Sequence, residues 1–82
     1  MIKREELQDW VIAALKDSGG SASIVEVARH IWINHENDLL ASGELFFTWQ
    51  YDMRWACTRL RERNIVQAAA ESKRGMWTLN HL

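Results

Sequence analysis

A chain of 82 residues, 48% hydrophobic with five tryptophans and no proline, can build one core and little more, which predicts a single domain over residues 1–82 and argues against disorder. No stretch approaches the roughly 18 apolar residues of a membrane span, the start Lys3-Arg4-Glu5-Glu6 lacks a signal-peptide core, and the lone Cys57 builds no disulfide framework, so no membrane partner and a reducing, cytoplasmic setting are expected. The net charge of −1 weighs against nucleic acid, yet residues 1–42 hold four bases against seven acids, a balance of −3, while residues 43–82 hold six bases against four acids, a balance of +2.

Residues Lys3 to Asp17 place Leu7, Val11, Ala14 and Leu15 at helical spacing with acids in the first turn, and predict the first helix. Ser18-Gly19-Gly20-Ser21 ends it, and Ala22 suits a strand of one or two residues. Ser23 with Glu26 three residues later has the form of a capping box, opening a second helix from Ile24 to about His35 with Ile24, Val27, Ala28, Ile31 and Trp32 inward. From Glu36 to Gly43 an irregular or short-helical connector is expected, longer than the three or four residues of a tight helix-turn-helix. Thr48 is the expected N-cap of a third helix, 48–63, whose core face is Trp49, Met53, Ala56, Cys57 and Leu60, and Asn64 is expected to stop it in the left-handed conformation. The runs Ile65 to Ala70 and Met76 to Leu79 flank a basic, glycine-ended turn and predict a C-terminal β-hairpin. A helix feeding a basic hairpin gives an α+β fold of winged helix-turn-helix type, with three helices and a two-stranded wing.

The outward side of the third helix carries Gln50, Tyr51, Arg54, Thr58 and Arg61, the mixture of amide, hydroxyl and guanidinium groups that reads base edges and phosphates. An ordinary solvated helix face is the alternative, and for Tyr51 partial burial. Ser72, Lys73 and Arg74 occupy the tip of the expected wing, 71–75, where two like charges suit a phosphate backbone; the alternative is a charged turn that keeps a sheet edge soluble.

Of the five tryptophans, Trp10, Trp32, Trp49 and Trp77 fall on apolar faces and are expected in the core, whereas Trp55 lies on a helix flank, as an edge seal or a partner surface. Cys57 falls on a buried helix side with no histidine nearby in sequence, which favours packing over nucleophilic chemistry. His30 and His35, five apart, do not converge on one helix face, so no metal site is expected. With no phosphate loop, serine elbow or carboxylate pair, the sequence predicts no catalytic residues and no cofactor. No small-molecule ligand is expected either, because so small a core leaves no room to enclose a pocket of about 300 Å³.

Specific residues also carry a resemblance: Ala14-Leu15 followed by Gly19-Gly20-Ser21-Ala22, then Tyr51 and Arg54-Trp55-Ala56 with Leu60, and Gly75-Met76-Trp77-Thr78-Leu79. Over nearly its whole length the chain resembles the winged-helix domain at the N-terminus of Mrr-type restriction proteins. The resemblance implies a winged-helix fold and binding to double-stranded DNA. In those larger proteins a nuclease domain follows, so a binding module, free-standing or excised, is expected here. The family's usual glycine after the third helix is Asn64 in this chain, a change the helix-cap geometry tolerates. The expected function is therefore a duplex-binding transcriptional regulator or chromosome-associated factor, nucleoid-associated and acting as a homodimer or multi-site assembly; the alternative is a protein-interaction module centred on Phe46, Phe47 and Trp55.

Overall fold

Two antiparallel backbone segments far apart in sequence, Ser21–Ser23 and Met76–Thr78, tie together a layer of three helices in the computed structural model, which describes residues 2–80. In chain order the elements are α1 (Glu6–Asp17), β1 (Ser21–Ser23), α2 (Ile24–Leu40), α3 (Leu45–Glu62), a 3₁₀ turn (Ala69–Glu71) and β2 (Met76–Thr78). The α+β class with three helices and a two-stranded antiparallel sheet agrees with the sequence pattern.

The first helix buries Leu7, Val11, Ala14 and Leu15, as its spacing predicts, although it begins at Glu6 and not at Lys3. The Glu6 carboxylate accepts a bond from the Lys3 backbone N–H at 3.0 Å, which helps satisfy the open helix start. At the other end the Gly20 N–H reaches the Leu15 carbonyl at 2.7 Å and the Gly19 N–H reaches that of Lys16 at 3.2 Å. That is a Schellman pair, and it requires the left-handed backbone found at Gly19, φ 78°. The same device closes α3: Ile65 N–H bonds to the Leu60 carbonyl at 2.9 Å and Asn64 N–H to that of Arg61 at 3.1 Å, with Asn64 at φ 60°.

The capping box at the start of α2 is present in both directions, Glu26 N–H to Ser23 Oγ at 3.1 Å and Ser23 N–H to Glu26 Oε1 at 2.9 Å. The helix does not stop at His35. That residue leaves helical geometry (φ −132°, ψ 21°) and the chain then resumes helix to Leu40. His35 shares the four-residue row of Val27, Ile31 and Leu39, and its ring stacks on Trp10 of α1 at 3.7 Å and 4°. The kink thus coincides with an aromatic contact between helices. The helical continuation is the short-helical form of the expected connector, and it shortens the link between α2 and α3 to residues 41–44, where the Ser42 hydroxyl donates to the Leu39 carbonyl.

The third helix starts three residues before its expected N-cap. Thr48 lies inside it and donates its hydroxyl to Asp52 Oδ2 at 2.7 Å instead of capping. The first turn is held by Phe46 N–H to the Gly43 carbonyl and Phe47 N–H to that of Glu44, 3.1 and 2.9 Å. Its core face is the expected one, Trp49, Met53, Ala56, Cys57 and Leu60. Trp77 is also buried, while Trp10 and Trp32 are half-buried against the same cluster.

The sheet corrects the expected hairpin. Among the described residues the segment after α3 makes a single bridge, Val66 to Leu79, with the Gln67 N–H bonding to the Thr78 carbonyl at 2.8 Å. Ala68 and Ala70 are exposed, and the chain coils into the 3₁₀ turn. Three successive alanines have little side chain to pair across a sheet and favour helical turns. The longer partner of β2 is β1, in register Ser21 to Thr78, Ala22 to Trp77 and Ser23 to Met76. The small, buried Ala22 sits opposite the buried Trp77 indole, and the hydroxyls of Ser21 and Thr78 meet at 2.9 Å. β2 and the residues just after it therefore have partners on both sides.

Candidate nucleic-acid interface

Helical geometry carries Gln50, Tyr51, Arg54 and Thr58 to the outside of α3, all exposed, opposite the face that packs on α1. Tyr51 is 75% exposed, which removes the alternative of partial burial. The Thr58 hydroxyl is turned back onto the Arg54 carbonyl at 3.2 Å. Arg61, last in this row, is half-buried, and its Nε donates to the Gln67 carbonyl at 2.9 Å.

That bond fixes the end of α3 to the segment leading into the basic loop. There Arg61, Ser72, Lys73 and Arg74 line one niche of about 300 Å³, together with Ile24, Gly75 and Trp77. The loop turns at Lys73–Met76 through a Met76 N–H to Lys73 carbonyl bond of 3.0 Å, with Gly75 at φ 79°. A residue with a β-carbon is strained at that angle, which explains the glycine. Ser72 Oγ is buried with no hydrogen-bond partner, while Lys73 and Arg74 reach solvent. The predicted residues thus fall into two groups: an exposed row on α3, and a cluster at the loop that Arg61 joins to the helix.

Electrostatics separates these bases from Arg4 and Arg59. Arg4 lies 3.8 Å from Asp52 and 3.7 Å over the Trp55 ring, and Arg59 pairs with Glu62 at 2.8 Å on the same indole's side, 5.5 Å from its centre. Those two cations are compensated locally, and Trp55 is a half-buried edge seal between them. Arg54, Arg61, Lys73 and Arg74 have no carboxylate within salt-bridge distance among the described residues.

The remaining chemistry-bearing side chains have structural partners. His30 meets Asp17 at 2.7 Å, His35 stacks on Trp10, and among the described residues no cluster of three or more metal-binding side chains forms. Burial pushes the Cys57 thiol up to about 11, so it is protonated near neutrality and behaves as a small apolar group. Hydrogen bonds from Ser23, its backbone N–H first, hold the Glu26 carboxyl below its usual value. No helix among the described residues is long and apolar enough to cross a membrane.

Sequence reasoning missed one feature. An open groove of about 500 Å³ runs between α2 and the first turns of α3, lined by Val25, Ala28, Arg29, Trp32, Phe46, Trp49 and Gln50. The signal for it was present: positions 25, 28, 29 and 32 follow helical spacing along one stripe of α2. The expectation of no room concerned an enclosed pocket, whereas this space lies on the surface. Phe47, 83% exposed and edge-on to Phe46 at 5.1 Å, stands beside it. Comparison with family models, with curated proteins and with solved structures finds no match to this chain.

Proposed function

We propose that this chain is a double-stranded DNA-binding domain of winged-helix type, with α3 entering the major groove and the 71–75 loop as a wing on the adjoining backbone. The observation that carries the reading is the grouping of Arg61, Lys73 and Arg74 around one niche, with Arg54 on the exposed row of the same helix, none of them with a carboxylate within salt-bridge distance among the described residues. A polyanion compensates such a group, and phosphates along a duplex edge repeat at a spacing that several cations can follow. Arg54, on the exposed row, is suited to a base edge; Lys73 and Arg74, on the loop, are suited to phosphate and supply affinity more than sequence choice. The order helix, short strand, two helices and a last strand flanked on both sides also agrees with a winged helix.

In this reading the module binds and does not catalyse, and it works as a transcriptional regulator or chromosome-associated factor in the nucleoid. A net charge of −1 gives one copy modest affinity, which favours a homodimer or a multi-site array. Fluorescence-anisotropy titration of a random-sequence duplex and its matching single strand, at low and physiological salt, tests the proposal. Salt-sensitive preference for duplex is the expected result.

The exposed aromatics Phe47 and Tyr51, one helical turn apart, support a second reading as a protein-interaction module. No binding to either nucleic acid at low salt, together with self-association abolished by Phe47→Ser, would replace the DNA proposal with it.

A further inference from the structure

The groove between α2 and α3 has the make-up of a small-molecule site. Its volume of about 500 Å³ lies within the ordinary range for such sites. Trp32, Phe46 and Trp49 give it an aromatic lining, and the two indoles lie nearly parallel, 12° apart with centres separated by 6.2 Å. Beside the two indole N–H groups, Arg29 and Gln50 are the polar side chains among its lining residues. Arg29 has no carboxylate within salt-bridge distance among the described residues. The acid three residues before it, Glu26, is engaged in the Ser23 cap.

We propose that this groove binds a small planar aromatic acid, its rings against Trp32, Phe46 and Trp49 and its carboxylate on the Arg29 guanidinium, with the Gln50 amide as a second donor. An aromatic ring gains more than an aliphatic chain from such walls, through offset stacking. One unpaired guanidinium matches one carboxylate, by a forked pair of charge-assisted hydrogen bonds. A duplex backbone presents a row of charges, for which the groove has a single cation. A phenylalanine from a second copy would cover Arg29 without supplying a counter-charge, at a desolvation cost. The site shares Gln50 with the exposed row of α3, and its test uses the protein without DNA.

The test is a ¹H–¹⁵N NMR titration of the full chain with 2-naphthoate and, separately, with the neutral 2-naphthalenemethanol. Saturable shifts are expected at the indole N–H groups of Trp32 and Trp49 and at the Gln50 amide, with Trp10 and Trp77 unmoved as internal controls. The alcohol should bind about fivefold more weakly than the acid, the upper range for an exposed ion pair. Arg29→Gln should lower naphthoate affinity by about the same factor and leave that of the alcohol unchanged. Arg29 is exposed, so the variant keeps its core. Absence of saturable shifts at Trp32 and Trp49, or equal affinity of acid and alcohol for the unaltered protein, overturns the proposal without reference to any variant. An Arg29→Gln protein that binds naphthoate unchanged overturns the assigned carboxylate contact.

Discussion

Salt dependence gives the proposed DNA face its sharpest test, because the structure sorts the cations before any binding is measured. Among the described residues Arg54, Arg61, Lys73 and Arg74 have no carboxylate within salt-bridge distance, whereas Arg59 is paired to Glu62 at 2.8 Å and leans on Trp55. If Arg61, Lys73 and Arg74 each meet one phosphate while Arg54 meets a base edge, counterion release sets the slope of log affinity against log salt at about −2.7. Over a rise from about 50 to about 200 mM salt, affinity should then fall by about fortyfold. Lys73→Ala removes one contact and should reduce the steepness by about 0.9. Arg59→Ala removes the same formal charge from a compensated position and should leave the slope close to that of the unaltered chain. Anisotropy of a labelled random-sequence duplex across a salt series reads both. Equal flattening by Arg59→Ala and Lys73→Ala would refute the reasoning, since affinity would then follow total charge and not the unpaired row.

Further expectations follow from the caps, the turn and the buried thiol. Ser23→Ala removes half of the α2 capping box and should cost about 1 kcal/mol, a fall in Tm of about 4–8 °C by circular dichroism. The Glu26 carboxyl is held low in the folded state, so its stabilising effect is complete above its ordinary value of 4.5 and is lost as pH falls through the lowered one. Glu26→Gln should therefore lower Tm at pH 7, and the gap to the unaltered protein should close in strong acid. Asn64→Ala keeps a β-carbon at φ 60° but loses the short polar side chain that lets asparagine tolerate that angle, and should cost up to about 1 kcal/mol in urea unfolding, while Asn64→Gly, which removes the β-carbon, should be tolerated. Cys57, buried with its thiol pushed up to about 11, should resist alkylation at pH 7 in the native protein and react at once in denaturant.

What could be read from the sequence was mostly local. The Ser23 to Glu26 box and the Asn64 stop depend on bonds within a few residues, and both are present. The core face of α3 depends only on helical repeat, and the exposure of Gln50, Arg54 and Thr58 follows from it. The misplaced features depend on distant partners. The short strand expected at Ala22 is present, but its pairing with β2 was not foreseen, because it depends on the bulk of Trp77, which accepts a small residue opposite. Likewise the path of α2 through His35 coincides with contact to Trp10 on another helix. Thr48 looked like a cap because its preference is real, but Asp52 one turn later offered its hydroxyl a closer partner. The union of Arg61 with Ser72, Lys73 and Arg74 required knowing that three alanines would coil and not extend.

The position of β2 makes one short segment the clasp of the whole fold. It stands last in chain order among the described elements, yet it fastens the segment after α1 on one side and the segment after α3 on the other. A cut just before Met76 would remove the Trp77 side chain and both sets of backbone bonds that close the sheet. Three residues thus hold two distant stretches of chain against one core, and their loss would open both at once.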